Sequence, residues 1–448
     1  MKTDKYRRLL SCCPSLLDAA DKTANDKNGA LQNNVPAQVT AYVTAPVLFC
    51  YVCYILDSVK KNNINRIFFL SRDGYILKQI ADIIIERKKL KIQTSYLYVS
   101  RYSLRNALYY KCETAEDFEN AGLFTGYTLN SAKNFLKRAG LNDCQRIEVY
   151  KEIGFSDDEN KDLSDSEYSA FCEKIKNDPA LLCKIKNNSE NNYHNIMKYF
   201  ELSGLFEKRK IAVVDSGWMG TVQKTLTALV NGRTDENIIG YYFGLYRRED
   251  DNYKAFLFDV TDAYKYVPTF CNNLFECFCS APHGMTTGYR ECDGKIIPVL
   301  SDANAEMVKM AEIQTKTAVR FTEYACENEN YIPICKMRDI SAQLLKALMY
   351  KPDKQEAEIL GAFPFSDDVT EAKIQRLAGN CKGSISNILL PVRIIRKKKG
   401  KSIYPDKYIY WLYGSIVLTG CKPAWVYRLS VREWERLRLL RERRKLCR

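Results

Sequence analysis

The segment 210–230 constrains the fold of this chain more than any other stretch. Four apolar residues, 211–214, predict a short buried strand, and the glycine turn 217–220 precedes a helical pattern that begins at Thr221. A strand, a glycine turn and a helix in this order direct backbone N–H groups at an anion. Asp215 follows the strand, at the edge where open parallel sheets bind ligands. The same pattern also fits a strand–helix unit with a tight turn and no ligand.

Two earlier strands also end in polar residues. The segment 66–88 repeats the order of strand, turn and helix, with Ser-Arg-Asp-Gly at the turn, and the apolar strand 95–100 runs into an arginine. If the three strands are parallel, right-handed connections place their tips at one edge of one sheet. Such a cleft suits a phosphorylated sugar and a metal ion better than an apolar ligand. The residues expected to meet there are Arg72, Asp73, Arg101 and Asp215.

The charge of the chain favours anionic partners. Its 448 residues carry a net charge of +14 and include 2 His. So few histidines nearly exclude a catalytic histidine pair or a histidine-rich metal site. The basic excess is typical of proteins that bind phosphorylated substrates, anionic lipid or nucleic acid. Nucleic acid ranks last, because the sequence has neither an aromatic–basic RNA-binding motif nor zinc-finger spacing.

Cysteine usage indicates a reducing compartment. The 17 Cys are an odd number scattered along a long chain, and residues 1–8 lead into no apolar run of signal-peptide length. Reduced thiols in a cytoplasmic protein are therefore expected. Cys50 and Cys53 form a C-x-x-C pair inside an apolar helical run with no second pair at zinc spacing. This placement favours core packing over metal or redox chemistry.

The order of these patterns predicts three regions. An N-terminal arm covers 1–40, an α/β catalytic domain covers 41–300, and a helical C-terminal region with a basic tail covers 301–448. The α/β domain is expected to contain a helical insertion over about 102–205, which acts as a lid or selects the substrate at the ligand edge. The apolar stretch 43–56 is shorter than the roughly 20 residues that a bilayer span requires, so a buried helix is predicted there.

Two further features allow two interpretations each. Glu276 is an acid on an apolar helical run, so it is either a site residue or an acid that caps a helix or forms an ion pair. Residues 429–448 form an amphipathic basic helix. This helix either lies on an anionic membrane or a partner, or docks on the protein with a solvated basic face.

Four motifs occur in order along the chain: Phe69-Leu-Ser-Arg-Asp-Gly-Tyr, Tyr98-Val-Ser-Arg, Val214-Asp-Ser-Gly-Trp-Met-Gly-Thr-Val-Gln, and Phe275-Glu with Ala281-Pro. Through these motifs the chain resembles, over roughly residues 40–300, a bacterial module of surface-polysaccharide gene clusters. That module often follows a haloacid-dehalogenase-type phosphatase domain and is often labelled only a predicted hydrolase. The phosphatase signature Asp-x-Asp-x-Thr/Val at a first strand occurs nowhere in this chain, so the hydrolase label is expected to belong to the phosphatase half.

The module itself is similar to a type I phosphoribosyltransferase, whose fingerprint is four apolar residues, two acids and a Gly/Thr loop that opens a helix. The resemblance implies an α/β fold with a parallel-sheet, phosphoribosyltransferase-like core. It also implies that Asp215 binds ribose hydroxyls, that the loop 217–221 binds the 5-phosphate and that the turn 71–74 binds the diphosphate. The chain departs from the fingerprint in two ways, because Ser216 replaces the second acid and the loop is a residue or two shorter.

The leading hypothesis is a glycosyltransferase that moves 5-phosphoribose from phosphoribosyl diphosphate to a sugar hydroxyl of a surface polysaccharide or its lipid-linked precursor. Mg²⁺ would be the cofactor, and a separate phosphatase would act afterwards. Arg72 and Arg101 would serve the diphosphate. Asp215, kept ionised by the arginines and the helix start, would hold the ribose or, with the donor diphosphate, the metal. Glu276 would be the base for the acceptor hydroxyl, and Asp73 is the third candidate catalytic acid.

Two rival hypotheses stay open beside it. A phosphohydrolase acting on a phosphorylated sugar would use Asp73 or Asp215, and a non-catalytic scaffold of polysaccharide assembly would dock through its basic tail. In the leading hypothesis the protein is cytoplasmic and peripheral on the inner face of the membrane. Its candidate substrate-binding residues are Ser71, Arg72, Gly74, Arg101, Ser216, Gly217, Trp218, Met219, Gly220 and Thr221.

Overall fold

The computed structural model describes residues 3–26, 34–126, 130–153, 158–207, 209–233, 238–327, 332–366, 375–404 and 409–446. Its strands are β1 Arg66–Leu70, β2 Gln93–Leu97, β3 Ile211–Trp218, β4 Ile239–Leu245, β5 Tyr253–Phe258, β6 Thr286–Cys292, β7 Lys295–Leu300, β8 Pro364–Phe365 and β9 Gln375–Arg376. Strands β1 to β5 form a parallel sheet in the order β2-β1-β3-β4-β5, whereas β6 with β7 and β8 with β9 are antiparallel pairs. The predicted α/β class with a parallel core sheet is confirmed.

Helices account for most of the remaining structure. They are α1 Asp4–Leu10, α2 Pro14–Ala24, α3 Val35–Val39, α4 Ala45–Lys61, α5 Gly74–Arg87, α6 Arg101–Leu108, α7 Ala115–Asn120, α8 Ala132–Arg138, α9 Asp143–Ile153, α10 Asp165–Lys176, α11 Pro179–Leu202, α12 Thr221–Val230, α13 Ala263–Tyr266, α14 Asn272–Phe278, α15 Ala305–Cys326, α16 Ile334–Met349, α17 Lys354–Gly361, α18 Leu390–Lys398, α19 Leu412–Thr419 and α20 Ala424–Leu446. A π-helical turn, Thr40–Thr44, joins α3 to α4.

The parallel sheet is buried on both faces, which explains why its central strands are continuous apolar runs. Successive side chains of a strand point to opposite faces. Ile67 and Phe69 of β1 therefore enter one core, which α4 and α5 cover. Phe68 and Leu70 enter a second core, which α6, α11 and α12 cover.

Residues 101–202, between β2 and β3, form the helices α6 to α11 where the sequence predicted a helical insertion over 102–205. These helices bury a third cluster of side chains, which includes Phe135 and Phe171. Each of α7, α8 and α10 begins with a Ser or Thr whose hydroxyl accepts a backbone N–H, so the segment has its own helix-start signals. The insertion thus packs around itself and rests on the sheet through α6 and α11.

Strand β3 is longer than the four residues that the sequence predicted. Beyond Val214 it continues to Trp218, where Gly217 pairs with Gly244 of β4. A Cβ on Gly217 would lie 2.3 Å from the carbonyl oxygen of Gly244, and its φ of +144° also disfavours a side chain. The expected glycine turn is therefore mostly strand, and only Met219 and Gly220 separate β3 from α12.

The described part of the predicted N-terminal arm begins with two helices. Helices α1 and α2 pack into the main core, and Tyr6 and Leu16 are buried there. Glu356 of α17, which is fully buried, accepts hydrogen bonds from the Tyr6 hydroxyl (2.8 Å) and the Lys5 ammonium (2.6 Å). The beginning of the chain is thereby fixed to its helical C-terminal region.

One helical segment among the described residues, Val35–Lys61, is long and apolar enough to cross a membrane by length and composition. The sequence placed this helix in the core but underestimated its length, because α3, the π turn and α4 are continuous. Of its most apolar window, 89% is buried inside the protein. Pro46, which has no N–H to donate, comes just after the π-helical turn Thr40–Thr44 of this continuous helix.

We expect Glu356→Ala to lower the free energy of unfolding by about 2–4 kcal/mol, because it removes three hydrogen bonds to a buried carboxylate, from Lys5, Tyr6 and the Asp353 N–H, and leaves the Tyr6 hydroxyl without an acceptor. Urea denaturation followed by circular dichroism measures the loss.

The matched control is Glu358→Ala on the same helix. Its carboxylate is half exposed and faces an exposed lysine, so the change should stay within about 0.5 kcal/mol. Equal effects of the two substitutions would show that the contact between α1 and α17 does not stabilise the fold.

Candidate active site

A cavity of about 220 Å³ opens at the carboxyl edge of the parallel sheet. The parallel order β2-β1-β3 places the three strand tips side by side, and the four charged residues expected at this edge all line the cavity. Helices α12 and α14 complete its floor with Thr221 and Glu276. The lining residues that the sequence had singled out are Ser71, Arg72, Asp73, Arg101, Asp215, Gly217, Trp218, Met219, Thr221 and Glu276.

Asp73 and Asp215 are joined through one residue, Ser216. The Ser216 hydroxyl donates to the Asp73 carboxylate, and the Ser216 N–H donates to Asp215 Oδ1 at 2.9 Å. Asp73 precedes α5 but makes no capping hydrogen bond to it. Its carboxylate is therefore turned toward the cavity and not used to start the helix.

The two carboxyls share an environment that disfavours two charges. Burial raises the pKa of Asp73, although the Ser216 hydroxyl, Arg72 and Arg101 act against the rise. Burial and then repulsion from Asp73 raise the pKa of Asp215 well above its usual value. Arg101 acts against this rise, as expected of the arginines, but burial is the larger effect. Both carboxyls therefore favour the protonated form more than an exposed aspartate does.

Glu276 is fixed by an aromatic donor. The indole N–H of Trp218 donates to Glu276 Oε1 at 2.6 Å. The Trp218 ring is itself nearly buried and packs against Phe258, Phe270 and Phe275. Glu276 does not cap a helix start, since it lies in the second half of α14. The structure therefore presents this acid to the cavity and uses the predicted ligand residue Trp218 to hold it.

Serine hydroxyls tie the first two strand tips together. Ser71 Oγ donates to the carbonyl of Val99 (2.7 Å) and accepts the N–H of Val99 (3.1 Å). Ser100 Oγ donates to the carbonyl of Thr286 (2.6 Å), and as N-cap of α6 it accepts the N–H of Ser103. Arg72 and Arg101 directly follow these two serines, and both line the cavity. Ser71, expected as a substrate ligand, thus has a positioning contact in the folded protein.

Three of the predicted ligands do not line the cavity: Gly74, Ser216 and Gly220. A Cβ on Gly74 would lie 2.6 Å from the backbone of Phe69, so this glycine lets α5 pack against β1. Gly220 has φ +65°, and a Cβ there would meet the Tyr253 ring at 2.5 Å. Both glycines are required by packing, whatever the cavity binds.

The start of α12 still offers an anion site. Gly220 is its N-cap and has no side chain to cap the first turn. The first N–H groups of a helix have no partner within the helix, and the helix dipole adds partial positive charge there. Thr221 and Val222 of this turn line the cavity on the side of Asp215.

Part of the wall comes from residues that the sequence did not indicate. Thr286 and Ser280 follow α14, whereas Met307 and the segment Pro364, Phe365 and Ser366 belong to the C-terminal region. Phe365 packs on Tyr410 with ring centroids 5.0 Å apart. No local pattern marks these residues, because they reach the cavity only through tertiary packing.

No group of three or more His, Cys, Asp or Glu residues that could hold a metal ion occurs in the part of the chain that the structure describes. A Mg²⁺ ion here would take most of its ligands from a bound substrate and water, as this ion commonly does. Asp215 or Asp73 would then add one carboxylate.

Comparison with known proteins adds no family. The chain matches none of the protein-family models and none of the curated proteins with which it was compared.

We expect Asp215→Asn to raise the melting temperature at pH 7–8 by roughly 2 °C, without donor or divalent metal. The pKa of Asp215 is raised in the folded state, so the unfolded state ionises first as pH rises above about 4. Stability is therefore lost with rising pH until the folded carboxyl also ionises. The gain from Asn should grow with pH over this window and vanish below about pH 4. Scanning fluorimetry across pH measures it.

Asp251→Asn is the control, because this aspartate is 91% exposed. Its melting temperature should equal that of the unmodified protein at every pH. A melting temperature of Asp215→Asn that stays below that of the unmodified protein at pH 8 would contradict the raised pKa.

Proposed function

We propose that this protein is a glycosyltransferase that transfers 5-phosphoribose from phosphoribosyl diphosphate to a sugar hydroxyl of a bacterial surface polysaccharide or its lipid-linked precursor. The observation that supports it best is the composition of one cavity. Three carboxyls, two arginines and the start of a helix face each other at the carboxyl edge of a parallel sheet. A donor with a phosphate, a diphosphate and free hydroxyls needs positively charged groups for its phosphates and carboxyls for its hydroxyls.

The arginines suit the diphosphate. Arg72 and Arg101 project from neighbouring strand tips, so both can face one dianionic group. Guanidinium groups donate paired hydrogen bonds to phosphate oxygens. The first turn of α12 suits the 5-phosphate, because its N–H groups have no partner within the helix and the helix dipole adds partial positive charge there. The ribose then lies between the two anion sites, next to Asp215.

The reaction breaks the bond between ribose C1 and the diphosphate oxygen and forms a bond from C1 to the acceptor oxygen. Negative charge grows on the leaving diphosphate, where Arg72 and Arg101 stabilise it. The acceptor hydroxyl loses its proton to Glu276, which the Trp218 indole keeps oriented. Asp73 and Asp215 accept hydrogen bonds from the ribose hydroxyls and stabilise the positive charge that develops on the ring.

Mg²⁺ fits this proposal as an ion that arrives with the donor. It would neutralise charge on the leaving diphosphate, with Asp215 as its ligand from the chain. Asp215 must give up its proton to serve in this way, and a neighbouring cation favours that loss. The product keeps its 5-phosphate, so a separate phosphatase would act next.

A phosphohydrolase is the rival that uses the same cavity. It would use Asp73 or Asp215 as a nucleophile. The Asp-x-Asp-x-Thr/Val signature of the haloacid-dehalogenase-type phosphatases, which carries such a nucleophile, is absent from the sequence. Release of inorganic phosphate from a phosphorylated sugar without an acceptor would favour the hydrolase. The scaffold hypothesis predicts that neither reaction nor donor binding occurs.

Phosphoribosyl diphosphate with Mg²⁺ should raise the melting temperature, since a ligand at 100 times its dissociation constant stabilises the folded state by about 2.7 kcal/mol. Arg101→Met should lose most of this shift because the diphosphate loses a cation. Arg87→Met is the control, as this exposed arginine ends α5 and lies outside the cavity. An undiminished increase in the melting temperature of Arg101→Met would show that the diphosphate does not bind beside Arg101.

Asp215→Asn should lower the transfer rate at least ~100-fold, about 2.7 kcal/mol of transition-state stabilisation. Asn keeps the shape of the side chain but cannot become charged when the donor binds. Glu276→Gln should lower kcat while leaving donor affinity unchanged, because it removes only the base. Radiolabelled donor and an isolated glycan acceptor measure the transfer.

The outcomes separate the roles of the two aspartates. Near-normal transfer by Asp215→Asn together with an inactive Asp73→Asn would move the chemistry to the first turn. Normal transfer by both variants would exclude phosphoribosyl transfer at this cavity.

A further inference from the structure

The net positive charge of this protein comes from the last part of its sequence. Residues 382–448 contain 18 Lys and Arg and 4 Asp and Glu, a net charge of +14 that equals the charge of the whole chain. Residues 1–381 are therefore balanced. A charge separated in this way acts on a partner through one surface and not through the protein as a whole.

Helix α20 carries many of these basic residues but neutralises part of their charge. Arg432 pairs with Glu433 at 2.7 Å, and Arg438 lies 2.9 Å from both Glu435 and Glu442. The helix also buries Val431 and Leu439 against the protein. Of the two interpretations drawn from the sequence, docking of this helix on the protein is the one that its packing supports.

Helix α18 and the residues after it differ from α20. The stretch 382–404 has 7 Lys and Arg and no acid. Arg393 is fully buried, and its guanidinium lies 5.5 Å from the ring centres of Tyr404 and Trp434. This contact fixes which side of α18 faces the protein, and Ile394 and Ile395 are left 43% and 54% exposed.

The exposed apolar side chains and the uncompensated charge therefore coincide. We use the name α18 surface for Ile394, Ile395, Lys398, Lys399 and Lys401, all of which are exposed. Of the 11 large apolar side chains that are exposed among the described residues, 6 lie between positions 394 and 437. Among them is Trp425 at the start of α20, which is 62% exposed.

We propose that the α18 surface docks this protein on a membrane that contains anionic lipids. A bilayer interface supplies a partner for both kinds of side chain: lipid phosphates for the lysines and an acyl region for the isoleucines. A nucleic acid would satisfy the lysines, but its phosphate backbone gives two exposed isoleucines no apolar contact. The inference is independent of the reaction proposed above, because it concerns neither the cavity nor its ligands.

Vesicle sedimentation of the full chain tests the proposal. The protein should bind vesicles of phosphatidylcholine with phosphatidylglycerol and not vesicles of phosphatidylcholine alone. Binding should fall as NaCl rises from about 0.1 M to about 1 M, since the Debye length shortens from about 10 Å to about 3 Å. The triple variant Lys398→Gln, Lys399→Gln, Lys401→Gln should bind about 100-fold more weakly, given about 1 kcal/mol for each basic residue near the surface.

The matched control replaces three exposed lysines after α5: Lys88→Gln, Lys89→Gln and Lys91→Gln. It removes the same charge and should bind almost as the unmodified protein does. The double variant Ile394→Ser, Ile395→Ser keeps every charge and should bind at least 10-fold more weakly. Circular dichroism and melting confirm that each variant is folded.

Each of three results in the vesicle experiments would overturn the proposal. They are equal binding to neutral and anionic vesicles, an equal loss in the two lysine triples, and unchanged binding of the isoleucine variant. Binding to RNA or heparin without binding to anionic vesicles would also overturn it and identify a polyanion as the partner.

Discussion

The burial of two carboxyls at the ends of adjacent parallel strands is the constraint on which the site depends. Strand β1 leads into Asp73 and β3 carries Asp215, so their pairing in the sheet brings the two acids together. Burial raises the pKa of both carboxyls, and repulsion from Asp73 adds to the rise at Asp215. Such a pair destabilises the folded state at neutral pH, and it persists because apolar side chains on both faces of the sheet hold β1 and β3 in place. A strained electrostatic arrangement at a ligand edge is typical of functional sites.

Elements far apart in sequence hold this edge. The core helix α4 donates a hydrogen bond from the Tyr51 hydroxyl to the backbone carbonyl of Asp215, at 2.9 Å. The C-terminal region closes the cavity with Phe365, which packs on Tyr410 just before α19. The same region carries the α18 surface, for which we propose a membrane contact. A lipid-linked acceptor of the proposed reaction would then meet this contact and part of the cavity wall in one region of the chain.

The sequence predicted the parts of the fold that local patterns determine. Apolar runs before polar tips identified β1 and β3, and parallel pairing then required their tips to meet. It did not predict the length of β3, because the pairing of Gly217 with Gly244 depends on a glycine in another strand. Nor did it predict the partner of Glu276, since the Trp218 indole reaches that acid only after both elements pack. Nor did it predict that burial raises the pKa of Asp215, since burial is a tertiary property.

Ser216 stands at the position where the phosphoribosyltransferase fingerprint, with which the sequence was compared, has a second acid. In that fingerprint two consecutive acids follow the strand, whereas here the second position is a serine whose hydroxyl donates to Asp73. The second carboxyl of the cavity thus comes from a neighbouring strand tip and not from the next residue. Ser216 is only 1% exposed and its hydroxyl contacts Asp73, so an acid at 216 would be buried beside the Asp73 carboxylate. A serine that donates to Asp73 avoids a third buried charge and keeps two acids beside the ligand edge.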